Sequence, residues 1–172
     1  NLPIVFFNRI APEVSAYNVI IDDYKWAFTA VEHLIKERYK RIAHLAGPEN
    51  LFLSKERKRG YIDALKKYGY PIEEELIIPA GILMESGITA AYSILEMPNK
   101  PDAIFAVNDP AAIGAMKTLQ KKGMVIPHDI AFVGFSESQK ALIIEPNLTS
   151  VEQPTFEMGK VTAELLLEQI KN

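Results

Sequence analysis

The side chains that could carry chemistry in this sequence are few and poorly spaced for it. His33, His44 and His128 lie too far apart to set two imidazoles on one metal by any recognised spacing, and cysteine is absent, which removes thiolate catalysis, disulfides and cysteine-based metal sites. Gly134-Phe135-Ser136-Glu137-Ser138 approaches the Gly-x-Ser-x-Gly elbow that exposes a nucleophilic serine, but Ser138 stands where the second glycine belongs. Asp22 and Asp23 are adjacent, and adjacent carboxylates on a turn do not face each other across a substrate. There is no glycine-rich phosphate loop. The inventory therefore predicts no enzyme, no cofactor and no metal.

What the sequence does offer is a series of short polar groups, each following an apolar run. They are Asn8-Arg9, Asp22-Asp23, Gly47-Pro48-Glu49-Asn50, Asn108-Asp109 and Ser136-Glu137-Ser138. Small hydrogen-bonding residues at such places suit the grip of a polyhydroxylated molecule better than bond breaking. Each also has a plainer explanation. Asp109 reads as a helix N-cap, Asn108 as a turn residue and Asp22-Asp23 as a helix start. Arg57 falls in the charged run Lys55-Glu56-Arg57-Lys58-Arg59, where an arginine is ordinarily solvated surface. Trp26, Phe156 and the strand residue His44 are more often core than site.

The elements that would position these groups are strands and helices in alternation. Ile4-Val5-Phe6-Phe7, Val19-Ile20-Ile21, Ile42 to Ala46, Ile104 to Val107 and Ile130 to Val133 read as short buried strands. Ala27, Ala30, Val31, Leu34 and Ile35 make one helical stripe, and Tyr61, Leu65 and Tyr68 another. Further helices are expected over 86–97, 109–122 and 154–170. Asp109 before Pro110 predicts a capped helix start, Ser54 a second N-cap, and Gly69 and Gly123 helix ends. Such alternation implies an α/β fold, a doubly wound, mainly parallel sheet with helices on both faces. Ligands of such sheets bind outside the carboxyl ends of the strands, where the polar groups fall.

With 19 basic and 22 acidic residues the net charge is −3, and the basic residues are scattered, so the chain itself is not expected to hold nucleic acid. No apolar run is long enough to span a bilayer and no leader pattern opens the sequence, so neither export nor a membrane partner is expected. The start at Asn1, without an initiator methionine, predicts a piece of a longer protein.

Several stretches together resemble the regulatory domain of the LacI/GalR family of bacterial transcription regulators. They include Arg41-Ile42-Ala43-His44-Leu45-Ala46-Gly47-Pro48, Glu56 to Tyr61, Pro101 to Asp109, Ile126 to Phe135 and Leu148-Thr149-Ser150-Val151-Glu152-Gln153-Pro154. The resemblance implies a type I periplasmic-binding-protein-like fold with the effector in a cleft between two lobes. It assigns residues 1–24 and 151–172 to part of an N-terminal lobe and 25–150 to a C-terminal lobe, with the helix-turn-helix headpiece absent. It further implies a cytoplasmic homodimer that meets operator DNA only through that headpiece. The implied dimer surface comprises the 86–97 helix, the 111–116 helix and the 138–144 segment.

The same resemblance places Arg57, Asn108, Ser136, Phe156 and Asn8 at the effector. Arg57 would fork onto hydroxyls or carboxylates, Asn108 would both donate and accept, and Phe156 would cover the ligand from the opposite lobe. Two departures stand out. Ser136 replaces the aspartate with which many sugar-binding members chelate two hydroxyls, and Ile82, Leu83 and Met84 are aliphatic where an aromatic wall is common. A sugar, a nucleoside, a phosphorylated sugar or a protein signal all stay open as effectors. Replacing Arg57 or Asn108 by alanine is expected to weaken the effector and leave the fold intact. The alternative reading is the solute-binding receptor of a sugar transporter.

Overall fold

The computed structural model describes residues 2–11, 13–136 and 139–171 of the chain. Two compact units are present, one formed by Asn1–Asp22 with Gln153–Asn172 and the other by Asp23–Glu152. Glu137 and Ser138, named above after the fifth apolar run, lie outside the described residues.

The larger unit starts with α1 (Asp23–Lys36), β3 (Ile42–Ala46), α2 (Phe52–Lys67), a single 3₁₀ turn (Glu74–Leu76) and β4 (Ile77–Pro79). It continues with α3 (Met84–Glu96), β5 (Ala103–Ala106), α4 (Asp109–Lys121), β6 (Ala131–Ser136), α5 (Gln139–Ile143) and β7 (Thr149–Glu152). Its five strands are all parallel in the order β4-β3-β5-β6-β7, with Leu45 opposite Ile78 and Ala106 and with Ile104 opposite Phe132. The side-chain alternation of a strand then sorts the core. Ala43, Leu45, Ile104, Ala106 and Phe132 face α3 and α4, while His44 and Phe105 face Tyr61 of α2. The expected doubly wound α/β sheet is therefore present.

Glycines set how closely the helices approach. A Cβ at Gly60 of α2 would stand 2.5 Å from the Tyr24 carbonyl oxygen and 2.8 Å from the Phe28 amide nitrogen of α1. On the other face Gly87 of α3 lies against the Ala111 backbone of α4, and Gly114 of α4 against that of Met84, so this pair of helices touches twice through bare backbone.

Two capping expectations need correction. The N-cap of α4 is Asn108, whose Oδ1 accepts from the Ala111 amide at 3.0 Å; Asp109 and Pro110 are already inside the helix. The N-cap of α2 is Leu51 without any side-chain cap, and Ser54, within the first turn, is buried with an Oγ that has no hydrogen-bond partner. The strands β4 and β7 were not among the expected ones. β4 is three residues ending in proline and β7 is polar at three of its four positions, so neither reads as an apolar run.

The smaller unit pairs β1 (Val5–Phe7) with β2 (Tyr17–Val19) in parallel and packs α6 (Thr155–Lys171) on them. The Gln169 side chain acts as a surrogate strand: its Oε1 accepts from the Ile4 amide at 3.1 Å and its Nε2 donates to the Ile4 carbonyl at 3.3 Å. Within α6, Met158 is buried, whereas Phe156, Val161, Leu167 and Ile170 are exposed.

Candidate functional site

The strand order fixes where a crevice opens in the larger unit. From β3 the chain moves outward to β4 and then returns past β3 to β5, so α2 leaves β3 toward one face and α4 leaves β5 toward the other. The carboxyl ends of β3 and β5 are thus the switch point at which doubly wound sheets hold their ligands.

Arg57 projects to this point from the second turn of α2. Its Nε and Nη2 both donate to Asp23 Oδ1, at 2.8 and 2.6 Å, and its Nη1 donates to the Val107 carbonyl at 2.5 Å. Its guanidinium carbon lies 3.5 Å from the centroid of the Phe135 ring, close enough for a strong cation–π contact. Arg57 is 2% exposed and Asp23 5%. The surface reading of the charged run therefore fails at Arg57, and so does the expectation that its removal would leave the fold untouched. The approach of α2 to α1 at Gly60, one turn further along, is what brings Arg57 within reach of the first residue of α1.

Arg57 touches the residue before each of two other nominated residues, Val107 before Asn108 and Phe135 before Ser136. The three residues Arg57, Asn108 and Ser136 are brought to one end of the sheet in this way. Besides capping α4, Asn108 donates from Nδ2 to the Ile82 carbonyl at 2.8 Å, tying the loop after β4 to the start of α4. A primary amide has two donors and two acceptor positions, so these two bonds leave one of each for a guest. Ser136, the last residue of β6, has φ of 122°, a left-handed backbone that favours glycine.

The other two nominated residues belong to the smaller unit. Asn8 follows β1 with φ of 55°, and its amide donates to the Val19 carbonyl at 2.9 Å. Phe156 stands in the first turn of α6 and is 82% exposed. Of the three described non-glycine residues with positive φ, Asn8 and Ser136 are thus both nominated residues, and strained backbone gathers at functional positions.

Sequence reasoning missed Asp23, Val107 and Phe135 as the cradle of Arg57. The available signal was indirect: an arginine packed beside a glycine contact must find a carboxylate, but nothing in the 34-residue separation names Asp23. It also missed that Asp109 is fully buried and accepts from the Ser150 hydroxyl at 2.6 Å, locking α4 to β7.

His44 is buried behind this end, stacked between Tyr61 and Phe105 with ring centroids 5.2 and 5.0 Å away. Its Nδ1 lies 3.0 Å from the Phe105 carbonyl and its Nε2 has no partner. Burial pushes its pKa down to about 4, against the smaller opposing effect of the Phe105 carbonyl. The imidazole is therefore neutral and packed, not a base.

A groove of about 430 Å³ is lined by Gly47 and Glu49 after β3 and by Ser54, Lys58, Arg59 and Lys66 of α2. Two of its cations are ion-paired, Lys58 with Glu49 at 3.2 Å and Arg59 with Glu56 at 2.6 Å. Among the described residues no group of three or more acidic or histidine side chains is placed to hold a metal ion.

Comparison with known proteins agrees with this architecture. The model of the periplasmic binding protein-like domain matches residues 31–172. The repressor CytR of Escherichia coli K12 is 34% identical over 169 residues, which is 98% of this chain and 50% of that protein. The repressor PurR of Vibrio atlanticus is 36% identical, covering 94% of this chain and 48% of its own length. The solved structure of the transcriptional regulator CelR in complex with cellobiose superposes with a TM-score of 0.90 at 34% identity, over 97% of this chain and 52% of the other. The chain spans about half the length of the curated relatives it matches. It belongs to the periplasmic binding protein-like domain family, and is similar over almost its whole length to helix-turn-helix transcriptional repressors and to regulators of the LacI family.

Proposed function

We propose that this chain is the effector-sensing and dimerising part of a cytoplasmic bacterial transcription repressor. In this reading a small polar molecule at the carboxyl ends of the strands controls how tightly a separate DNA-reading headpiece holds its operator. The observation that carries the reading is the similarity to helix-turn-helix repressors across almost all of the chain, which favours it over a transport receptor. The effector residues in this reading are Arg57, Asn108 and Ser136 in the larger unit and, taken by themselves, Asn8 and Phe156 in the smaller. Nothing among them resembles a nucleophile paired with a base, and the function is binding without turnover.

The mechanism is a shift of population. The effector stabilises whichever regulator conformation it binds better, and the operator affinity moves by that difference alone, typically 5–150-fold, or about 1–3 kcal/mol. The test is operator binding by the full-length protein, read by fluorescence anisotropy across a panel of sugars and nucleosides. At least one compound is expected to change operator affinity within that range and to be recovered unaltered. A compound consumed by the protein, or a panel to which neither the protein nor its operator complex responds, would overturn the reading.

A further inference from the structure

The charged run Lys55-Glu56-Arg57-Lys58-Arg59 has one member, Arg57, that the effector reading uses. Three others, Lys55, Lys58 and Arg59, line the groove beside α2, and Lys66 continues the same helix face two turns on. Two carboxylates, Glu49 and Asp63, line it as well. Lys58 pairs with Glu49, Lys66 with Asp63 at 3.9 Å, and Arg59 with Glu56. Lys55 is the cation left over, with no ion-pair partner among the described residues. The Glu49 side chain is 83% exposed, and a pair held that loosely in water contributes little, so an incoming anion can take its place on Lys58. Beside these cations lies a polar group with nothing to bond. Ser54 lines the groove and is 3% exposed, and its Oγ has no hydrogen-bond partner. A Cβ at Gly47, which also lines the groove, would stand 2.4 Å from that oxygen, so the glycine is what leaves the hydroxyl its place. Buried hydroxyls are ordinarily bonded, and an unbonded one next to a surplus cation calls for an acceptor from outside. The first turn of α2 adds to the preference for an anion: it has no acidic residue and no side-chain cap, so no carboxylate of its own opposes the positive end of the helix dipole.

We propose that this groove is a subsite for a phosphate group, in which the Ser54 hydroxyl donates to one phosphoryl oxygen and Lys55 and Lys58 hold the others. A phosphate presents several acceptor oxygens on one centre, which suits a hydroxyl and two ammonium groups spaced within about one turn of helix. Free phosphate and the phosphoryl group of an organic monoester share this chemistry. None of Arg57, Asn108, Ser136, Asn8 and Phe156 is among the described residues that line the groove, so the subsite stands whether or not the strand ends hold an effector.

The test titrates full-length protein calorimetrically with inorganic phosphate and, separately, with phenyl phosphate, in a chloride buffer above neutral pH. Wild type is expected to bind at least one of them with a Kd of about 1 mM or tighter, and more weakly as chloride is raised. The tighter probe tells whether the free anion or the ester is the source. Ser54→Ala leaves every charge in place and gives up no hydrogen bond of the unliganded fold, so it should melt no lower than wild type and bind phosphate about tenfold more weakly. Lys58→Gln, on the exposed side of the helix, should also weaken binding about tenfold. Asn108→Ala, at the strand ends, should leave it unchanged. A wild type that binds neither probe overturns the proposal. So does a loss in Lys58→Gln with none in Ser54→Ala, which describes diffuse attraction to surface cations. A loss in Asn108→Ala larger than in either groove variant puts the anion at the strand ends and overturns it too, while leaving the effector reading in place.

Discussion

The guanidinium carbon of Arg57 sits 3.5 Å from the centroid of the Phe135 ring, so one arginine is at once stacked on β6, bonded to the end of β5 and ion-paired with the start of α1. An arginine so placed is part of the fold. Arg57→Ala would take from the buried Asp23 carboxylate the guanidinium it is ion-paired with, which costs about 3–5 kcal/mol. Asp23→Ala alone should cost a similar amount. The double alanine variant should recover much of the loss, because no uncompensated charge remains. Urea unfolding of the three variants checks this; additive losses would show that the pair is not coupled.

A second prediction concerns Asn108, whose amide has two structural duties. Asn108→Ala removes the N-cap of α4 and should cost about 0.5–2 kcal/mol. Asn108→Asp keeps an acceptor for the Ala111 amide but sets an oxygen against the Ile82 carbonyl. Amide hydrogen exchange separates the two. The Ala111 amide should lose protection in the alanine variant and keep it in the aspartate variant, while the loop after β4 loosens in both. Equal protection of Ala111 in the two variants would count against the cap.

Ser136 supplies a third. Its φ of 122° is strained for any residue with a Cβ, at a cost of about 1–3 kcal/mol, whereas glycine takes it freely and loses some of the gain to chain entropy. Ser136→Gly should therefore raise stability by about 0.5–1 kcal/mol and weaken effector binding through loss of the hydroxyl. Calorimetric melting together with effector titration checks both halves, and a variant less stable than wild type would show that the backbone is not strained there.

These positions show what was legible in the chain. The α/β alternation and the parallel sheet were readable because β3, β5 and β6 are almost wholly buried and so written as unbroken apolar runs. The polar residues at their ends were readable because an apolar run that stops abruptly marks a strand terminus. The roles of those residues were not. Asn108 and Asp109 are neighbours, and only the backbone geometry of the turn decides which one caps and which is buried against Ser150. The burial of Arg57 depends on how far α2 descends onto α1, a distance set by Gly60 and by no property of the charged run itself. The short β4 and β7 are made strands by their neighbours through pairing with β3 and β6.

His44 gives a pH prediction with a definite sign. Its folded pKa of about 4 lies below the unfolded 6.5, so folding favours the neutral ring. The contribution is complete above pH 6.5 and is lost as the pH falls toward 4, where the unfolded chain takes up a proton that the folded chain refuses. The size of the loss is about 3 kcal/mol. His44→Leu keeps the bulk, removes the unpartnered Nε2 and should flatten stability over this window while leaving it nearly unchanged at pH 7. An unaltered acid slope in chemical denaturation would assign the titration to other groups.

The last prediction follows from the segment Ala141-Leu142-Ile143-Ile144, part of the 138–144 stretch that the family resemblance implies for a dimer surface. In α5 Ala141 is buried, whereas Leu142 is 56% and Ile143 79% exposed. Two large aliphatic side chains turned outward on one short helix suit a surface that a second copy covers, as the proposed dimer requires. Ile143→Glu should leave the melting of the isolated chain unchanged, since little is buried there to lose. In the full-length protein it should place a charge in an apolar contact and shift sedimentation from dimer to monomer, with operator affinity falling in step because both half-sites are no longer held at once. A variant that still sediments as a dimer would take α5 out of the interface.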